Sequence, residues 1–553
     1  MPKPYLFILL FCFIADKSFA QSPFSTSDSV DINNINARIL VHGDMSWDPV
    51  SQIAACEFPK GSGKHINFAS SLWMSGYDAG GQLHIAAQTY RQHGNDYWPG
   101  PLGVSDTLSY ATSQDWAKIW KVSRNDISNF LSLSTHTIAN TPQTILNWPA
   151  KGNTHAAGNS GASLTITTDM APFIDLNGNG TYEPLAGEYP DIKGDQALWW
   201  VFSDKGSTHN ETNGRPLGVE VQSMAYAYNR GTLIDNVVYY DYKIINRSTN
   251  SYSGMRIGLW DDVDLGYYND DYIGYDSTHR MGVAYNGTSD DGLLASPSHP
   301  HNSYGKNIPV VGMTMIVAPG DVGTSYAPAG SFINYTNGYD PPTVDTEYNN
   351  YLHAKSKDGR HYIHDTTDID FMGIPSGPDV DFVFTGDPGD TNQWSECSKR
   401  DNPGDRRFIL TTGDFSLSAG GSQHFVLALV TTDPDTMNGC GSVTFDSIKI
   451  VADTAWAVYH NPPPPNSVNN IELAAAISIY PNPAHDLPYI EHVYEPQNEA
   501  FITVYNSIGQ TIAVAIDKAQ TKDKIDISKL VPGAYYLLYR SGNIQRGMSF
   551  IKN

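Results

Sequence analysis

Four consecutive prolines, Pro462 to Pro465, set in the run Asn461 to Asn466 (NPPPPN), constrain this chain more than any other feature. Each proline ring fixes φ and removes a backbone donor, so neither a helix nor a sheet ladder passes through such a run. The segment favours a stiff, extended geometry. What precedes it is expected to close its own core. The chain therefore divides into a long ectodomain, a Pro-rich linker over residues 461–475, and a short C-terminal domain over residues 476–553.

Beyond the linker the pattern is purely β. Ile477 to Tyr480 reads as a short strand running into the turn Pro481-Asn482-Pro483. Phe501 to Tyr505 alternates apolar and polar, and Asn506 to Gly509 turn the chain into Gln510 to Ala515. Ile525 to Leu530 lead to Pro532-Gly533, and Ala534 to Arg540 form a further strand. Short strands at regular spacing predict a small antiparallel, immunoglobulin-like sandwich.

The stretches ISIYPNPAHD, FITVYNSIGQ, IDISKLVPGAYYLLY and the terminal SFIK strongly resemble the type A C-terminal sorting domain of the type IX secretion system of Bacteroidetes. The motif positions are Tyr480, Pro481, Asn482, Pro483, Gly509 and Gly533. The resemblance implies passage across the outer membrane, recognition by the secretion machinery, and removal by a sortase. Some relatives are afterwards linked to surface lipopolysaccharide. The protein is then expected to be secreted or anchored on the outer cell surface.

The N-terminal end agrees. Lys3, an apolar run from Tyr5 to Ala15, and small residues at Ser18 and Ala20 predict a signal peptide over residues 1–20, cleaved before Gln21. Cys12 lies within the apolar run, which argues against a lipoprotein. No later segment is apolar for the length of a membrane helix, so no transmembrane segment is expected. A net charge of −24 excludes nucleic acid and anionic membrane surfaces as partners and makes cations the natural counterpart. Of the cysteines left after cleavage, Cys397 and Cys440 are the candidate disulfide, with Cys56 buried and free; three unrelated buried thiols are the alternative.

The middle of the chain is low in charge (17%) and rich in Gly, Tyr and Trp, a bias towards β-structure with many turns. The expected class is mainly β: a β-sandwich-rich ectodomain with few helices. Strands are predicted at Leu164 to Thr168, Gly218 to Asn229, Asn236 to Asn246, Met255 to Trp260 and Pro309 to Ala318. Arg407 to Thr412 and His424 to Thr432 are expected to form a hairpin about Gly420-Gly421. Ile448, Val451, Ala455 and Val458 recur at helical spacing and predict a helix over Thr444 to Tyr459. A shift near residue 215 suggests lobes at 21–215, carrying a calcium-type loop, and 216–460. NNINARILVHGDMSWD, FPKGSGKH, LHIAAQTYRQHGNDYWPGPLG, DLNGNGTYEPLAGEYPDIKGDQALWW and NPGDRRFILTTGDFSL are similar to stretches of other secreted Bacteroidetes proteins with the same sorting domain. That resemblance implies no activity.

The clearest chemistry is DLNGNGTYEP. Asp175, Asn177 and Asn179 occupy the first, third and fifth places of a calcium loop, Gly180 permits the sharp turn, and Thr181 offers its carbonyl. Ala186 stands where the bidentate Glu belongs, and Glu188 (or Asp191 or Asp195) would supply that carboxylate. An Asn/Gly turn held by side-chain-to-backbone bonds is the alternative. A second, weaker cation site is expected in WDDVDLGYYNDDYIGYD from Asp262, Asp264, Asp270 and Asp271, whose mutual repulsion a cation or solvent would relieve. The cofactor implied is structural Ca2+. His299, His301, His361 and His364 lack zinc-site spacing.

No HExxH or GxSxG motif is present, and PKGSGKH lacks the first Gly and the Ser/Thr of a phosphate loop. No catalytic residue is assigned. Two functions remain: a calcium-stabilised surface protein that binds a glycan or protein or builds the surface layer, and a secreted hydrolase of polysaccharide or protein. The first is preferred, because carboxylate-rich loops are present and a nucleophile signature is not.

Overall fold

A computed structural model describes residues 25–90, 94–103, 106–293, 302–322, 326–336, 340–364, 377–436, 438–463, 478–480, 482–491, 500–506, 510–517, 522–541 and 544–553. The expected signal peptide, most of the linker, Pro481, Gly509 and the His299 to His301 stretch lie outside these residues.

The ectodomain is organised by strands that are buried on both faces. In Gln196–Ser203 (QALWWVFS) all eight residues are buried, and in Val219–Ala227 all nine are. Successive side chains point to opposite sides of a strand. Such strands need cover on both faces, and they receive it. They lie in a nine-stranded antiparallel sheet whose path runs Trp120–Ser123, Gln196–Ser203, Val219–Ala227, Val237–Asn246, Ser422–Thr431, Val311–Val317, Met281–Asn286 and Asp271–Asp276; Trp98–Pro99 pairs beside the second strand.

Leu198, Trp200, Val221, Tyr240, Tyr242 and Leu427 leave one face of this sheet and meet a second sheet. That second sheet is six-stranded and runs Ala329–Thr336, Arg406–Thr412, Tyr252–Val263, Ala69–Tyr77 and Leu83–Ala86, with Phe415–Leu417 also pairing on Tyr252–Val263. Trp199, Tyr226, Tyr239, Ala428 and Val430 leave the other face and pack beneath the C-terminal helix Asp446–His460 through Ile448, Val451, Ala452 and Ala455. The outer face of the second sheet is covered by helix Asp345–Leu352, where the Tyr348 ring lies 4.7 Å from that of Trp73. Gly258 admits this helix, since a Cβ there would come within 2.6 Å of Leu352 Cδ2. Helix, large sheet, second sheet and helix thus stack as four layers. Each large side chain enclosed between them contributes about 1.5–3 kcal/mol.

The fold is mainly β, as expected. Three expectations change. The large sheet pairs Gln196–Ser203 with Val219–Ala227, so the division near residue 215 separates no two cores. Arg406–Thr412 and Ser422–Thr431 do not form a hairpin: each lies in a different sheet, and the chain between them, turning at Gly420 (φ +71°), crosses from one layer to the other. Leu164 to Thr168 form no strand; Leu164 and Ile166 instead fill the core beneath the large sheet from an irregular segment.

The C-terminal domain is a sandwich of two four-stranded sheets, Ser478–Tyr480, Tyr489–Glu491, Lys522–Asp526 and Ala515–Asp517 against Thr511–Ile512, Ala500–Asn506, Gly533–Ser541 and Ile544–Lys552. Ile490, Val504, Ile525, Leu537 and Phe550 form its core.

Candidate metal centre

The end of strand Tyr252–Val263 carries WDDVD, and the start of strand Arg406–Thr412 follows GD. The two strands pair antiparallel with Asp262 opposite Arg407 and Val263 opposite Arg406. One step further along the same register places Asp264 across from Asp405. Residues two apart on a strand share a face, so Asp262, Asp264, Asp405 and Arg407 converge on the outer face of the second sheet. One oxygen from each of the three carboxylates lies within 4.8 Å of the others.

Arg407 holds this group in place. Its Nε lies 3.0 Å from Asp262 Oδ1 and its Nη2 3.0 Å from Asp262 Oδ2, with Asp405 Oδ1 at 3.6 Å. Tyr90 Oη donates to Asp262 Oδ2 and accepts from Arg407, whose guanidinium sits 5.5 Å from the centre of the Tyr90 ring. With all three carboxylates ionised, the single guanidinium leaves two negative charges in a poorly solvated position. Burial pushes the Asp262 carboxyl up to about 7 against the pull of Arg407. Burial, and then the neighbouring Asp262 and Asp405 charges, raise Asp264 well above the ordinary carboxylate range.

Asp270 and Asp271 do not complete this triad, contrary to expectation. The loop after Asp264 crosses between the sheets, and Asp271 opens the edge strand Asp271–Asp276 of the large sheet. Both side chains are fully enclosed. Asp271 Oδ2 accepts from the Leu265 N–H (3.1 Å) and Asp270 Oδ2 from that of Gly292 (2.9 Å), while their Oδ1 atoms accept no hydrogen bond. Burial, then Asp270 and Asp291, and beyond them Asp264, raise Asp271 well above its ordinary value; burial takes Asp270 up to about 7. Asp405, Arg407 and Tyr90 were not singled out in the sequence. Their common face depends on a pairing register between residues far apart in the chain, for which DRR in NPGDRRFIL is only a faint signal.

The loop from Asp175 to Glu188 is a chain of side-chain-to-backbone bonds. Asp175 accepts from Gly178 N (2.7 Å) and Gly180 N (2.8 Å), Asn177 from Asn179 N (3.0 Å), and Asn179 from Thr181 N (2.7 Å). Gly178 and Gly180 adopt φ of +73° and +71°, the left-handed geometry that the turn requires. Glu188 is buried and accepts from Leu176 N (3.1 Å) and Glu183 N (2.8 Å), pinning both ends. Glu183 Oε2 receives the amides of Asn177 (2.9 Å) and Asn179 (2.8 Å). The Gly180 and Gly178 amides hold Asp175 below the usual carboxylate range, so it is charged at neutral pH. Asp191 is exposed, while Asp195 turns to Arg230 (2.8 Å), away from this loop.

Cys397 and Cys440 are joined, their Cα atoms 5.8 Å apart, and Cys56 is a free, buried thiol that burial pushes up to about 12. His361 is exposed, and the ring of His364 lies 4.2 Å from that of Trp394.

In the C-terminal domain Asn482 brackets the last strand: its amide donates to Ser549 O (3.0 Å) and its oxygen accepts from Ile551 N (2.9 Å). The first and last motifs of the domain are thereby clipped together.

A family model described as a secretion system C-terminal sorting domain matches residues 478–553. No curated protein matches the chain. Among solved structures, a polysaccharide lyase aligns with 60% of this chain and 34% of its own, at 8% identity and a TM-score of 0.17. This chain thus spans about a third of that lyase's length, and a likeness so slight says nothing of fold or activity. No helix among the described residues is long and apolar enough to cross a membrane.

Proposed function

We propose that this chain, exported by the type IX route through its C-terminal sorting domain, serves at the outer surface as a calcium-stabilised β-sandwich that binds a ligand or builds the surface layer. The observation that supports this reading most is the Asp262, Asp264 and Asp405 triad. Its donors are hard carboxylate oxygens, the set that suits calcium rather than a thiolate- or imidazole-seeking metal. One divalent cation would cancel the two negative charges that Arg407 leaves. The ion would rivet the second sheet to the loop that crosses into the large sheet. The Asp175, Asn177, Asn179, Thr181 and Glu188 loop would take a second ion, with the Asx turns already shaping its backbone.

Melting curves in calcium and in chelator test this. Calcium at a hundredfold excess over its Kd should add about 2.7 kcal/mol of stability. Asp264→Asn separates repulsion from coordination by sign. In chelator the variant should melt above the unchanged protein, because Asp264 must either stay charged beside Asp262 and Asp405 or take up a proton on folding, and an asparagine does neither. In calcium it should melt below, because a ligand is gone. Identical curves in calcium and chelator for the unchanged protein would reject calcium. In the first loop, a double change of Asp175 and Asn177 to Ala should lower stability more in calcium than in chelator if that loop binds an ion, and equally in both if it is only a turn.

A further inference from the structure

The hairpin at the edge of the large sheet turns between strands Asp271–Asp276 and Met281–Asn286. In that turn His279 is buried and sits between two carboxylates. Its Nδ1 lies 2.5 Å from Asp276 Oδ2 on its own hairpin, and its Nε2 lies 2.9 Å from Asp453 Oδ1 on helix Asp446–His460. A neutral imidazole carries one N–H and an imidazolium carries two. Both contacts are hydrogen bonds only when both ring nitrogens are protonated. In the neutral ring one nitrogen would turn its lone pair towards a carboxylate oxygen, which repels it.

The two partners are unequal. The Asp276 side chain is 6% exposed and its Oδ1 also accepts from the Thr278 N–H (3.3 Å), whereas the Asp453 side chain is 74% exposed. Water can take the place of His279 at Asp453 far more readily than at Asp276. A ring with a single proton therefore keeps it on Nδ1 and gives up Asp453. The groups around the ring fit this order of release. Lys449, one turn earlier on the helix, acts on Asp276. Arg280, next in the turn, donates to both oxygens of Asp321 (2.9 and 3.2 Å), and its guanidinium lies 5.2 Å from the centre of the Trp456 ring. From strand Val311–Val317 comes the uncharged Thr314, whose hydroxyl donates to the His279 carbonyl (2.6 Å) and accepts from Trp456 Nε1 (3.1 Å). His460 is a second titratable ring on the helix, 2.8 Å from Trp456 O and 3.1 Å from Tyr326 Oη.

Burial by itself would weaken the hold of His279 on its proton, but the bonds and charges of Asp276 and Asp453 outweigh it and raise the ring above its ordinary 6.5. Burial would likewise raise Asp276, which the bond and charge of His279, and then Lys449, hold below its usual range. A ring whose pKa is raised by folding contributes fully below about pH 6.5, and that contribution is lost as pH rises through the folded value. We propose that His279 is a proton-operated latch on the end of the C-terminal helix: the imidazolium fastens Asp453 to the sheet-edge hairpin, and loss of the Nε2 proton to solvent loosens the turns from Asp453 to His460. The first half of the helix stays on the sheet through Ile448, Val451 and Ala452. The loosened turns are those that hand the chain on to Pro462, so the latch sets how firmly the linker is rooted.

The test uses the full chain and two exchange readouts by mass spectrometry between about pH 5 and about pH 9. Exchange of the imidazole Cε1–H reports the titration midpoint of His279. Amide exchange of residues 453–460, corrected for its intrinsic pH dependence and compared with residues 446–452, reports the helix end. The expected result is a His279 midpoint above that of a free histidine, with protection of 453–460 falling about fivefold across the same midpoint, the scale of one hydrogen bond. Protection of 446–452 should stay level. Asp453→Asn changes an exposed side chain, and an asparagine can accept from Nε2–H or donate to the bare nitrogen. That variant should lower the midpoint and remove the pH dependence of the helix end. His279→Gln should also remove it, and His460→Gln should not. A midpoint at or below that of free histidine would overturn the latch, as would one that Asp453→Asn leaves unmoved. So would protection that stays level across the midpoint, or a transition that vanishes in His460→Gln.

Discussion

Glu211 shows at the scale of one side chain what this ectodomain does with buried acids. It is 4% exposed; its Oε1 accepts from Thr89 Oγ1 (2.7 Å) and Tyr348 Oη (2.8 Å), while Oε2 accepts nothing. Burial, opposed by those two bonds, pushes its carboxyl up to about 7. The native state therefore holds this proton more tightly than the unfolded chain does, so stability falls as pH rises from the ordinary glutamate range through about 7 and the loss is complete above it. Glu211→Gln has no proton to lose. It should match the unchanged protein at about pH 5 and exceed it by on the order of 2 kcal/mol at about pH 8, read from urea midpoints at each pH. A variant less stable than its parent at both pH values would show that the carboxylate is needed there. The triad differs because its acids share one face, and its members were unequally legible. Asp262 and Asp264 stand out as neighbours in the sequence. Asp405 becomes their partner only once strand 406–412 is in register, and Asp270 and Asp271, close in number, are carried off to the other sheet.

Elements were easier to read than their partners. Helix Asp446–His460 and the strands Val219–Ala227, Val237–Asn246, Tyr252–Val263 and Val311–Val317 follow their local patterns, because propensity and periodicity act within a few residues. The hairpin expected from Arg407 to Thr432 did not form. Two strong strands with a glycine turn between them look alike whether they pair with each other or face each other across a core. The irregular Leu164 to Thr168 segment misled for a related reason: alternating apolar residues fill a core as readily from a loop as from a strand. The C-terminal helix is held to the large sheet by fully enclosed side chains, among them Ile448 at 0% exposure. Ile448→Ala should cost about 2–5 kcal/mol of ectodomain stability in denaturant unfolding. A cost within a few tenths would mean that the helix is a loose cover and not part of the core. The neighbouring disulfide ties Cys397, eight residues before Asp405, to Cys440, so the segment that supplies the third carboxylate is tethered at both ends.

For the whole molecule, export was the most legible property, because the sorting domain carries its signal in four short motifs, each readable within a few residues of sequence. Removing residues 478–553 should leave the protein inside the cell envelope, scored by protease treatment of intact cells and by immunoblotting of the medium. Normal surface delivery of that truncation would reject the domain's sorting role. Spatial order was the least legible property. In the large sheet Val237–Asn246 pairs on one side with its chain neighbour Val219–Ala227 but on the other with the distant Ser422–Thr431, and Ser422–Thr431 in turn pairs with Val311–Val317. The last strand of the ectodomain is therefore a keystone that joins two halves of the sheet. Until it arrives, each half ends in an unpaired edge at what will become the centre of the protein, and such edges invite pairing with other chains. Closing the sheet across so long a loop is intrinsically slow. The chain is thus committed to finishing its ectodomain late, almost at the linker, and its most aggregation-prone moment falls just before that strand locks in.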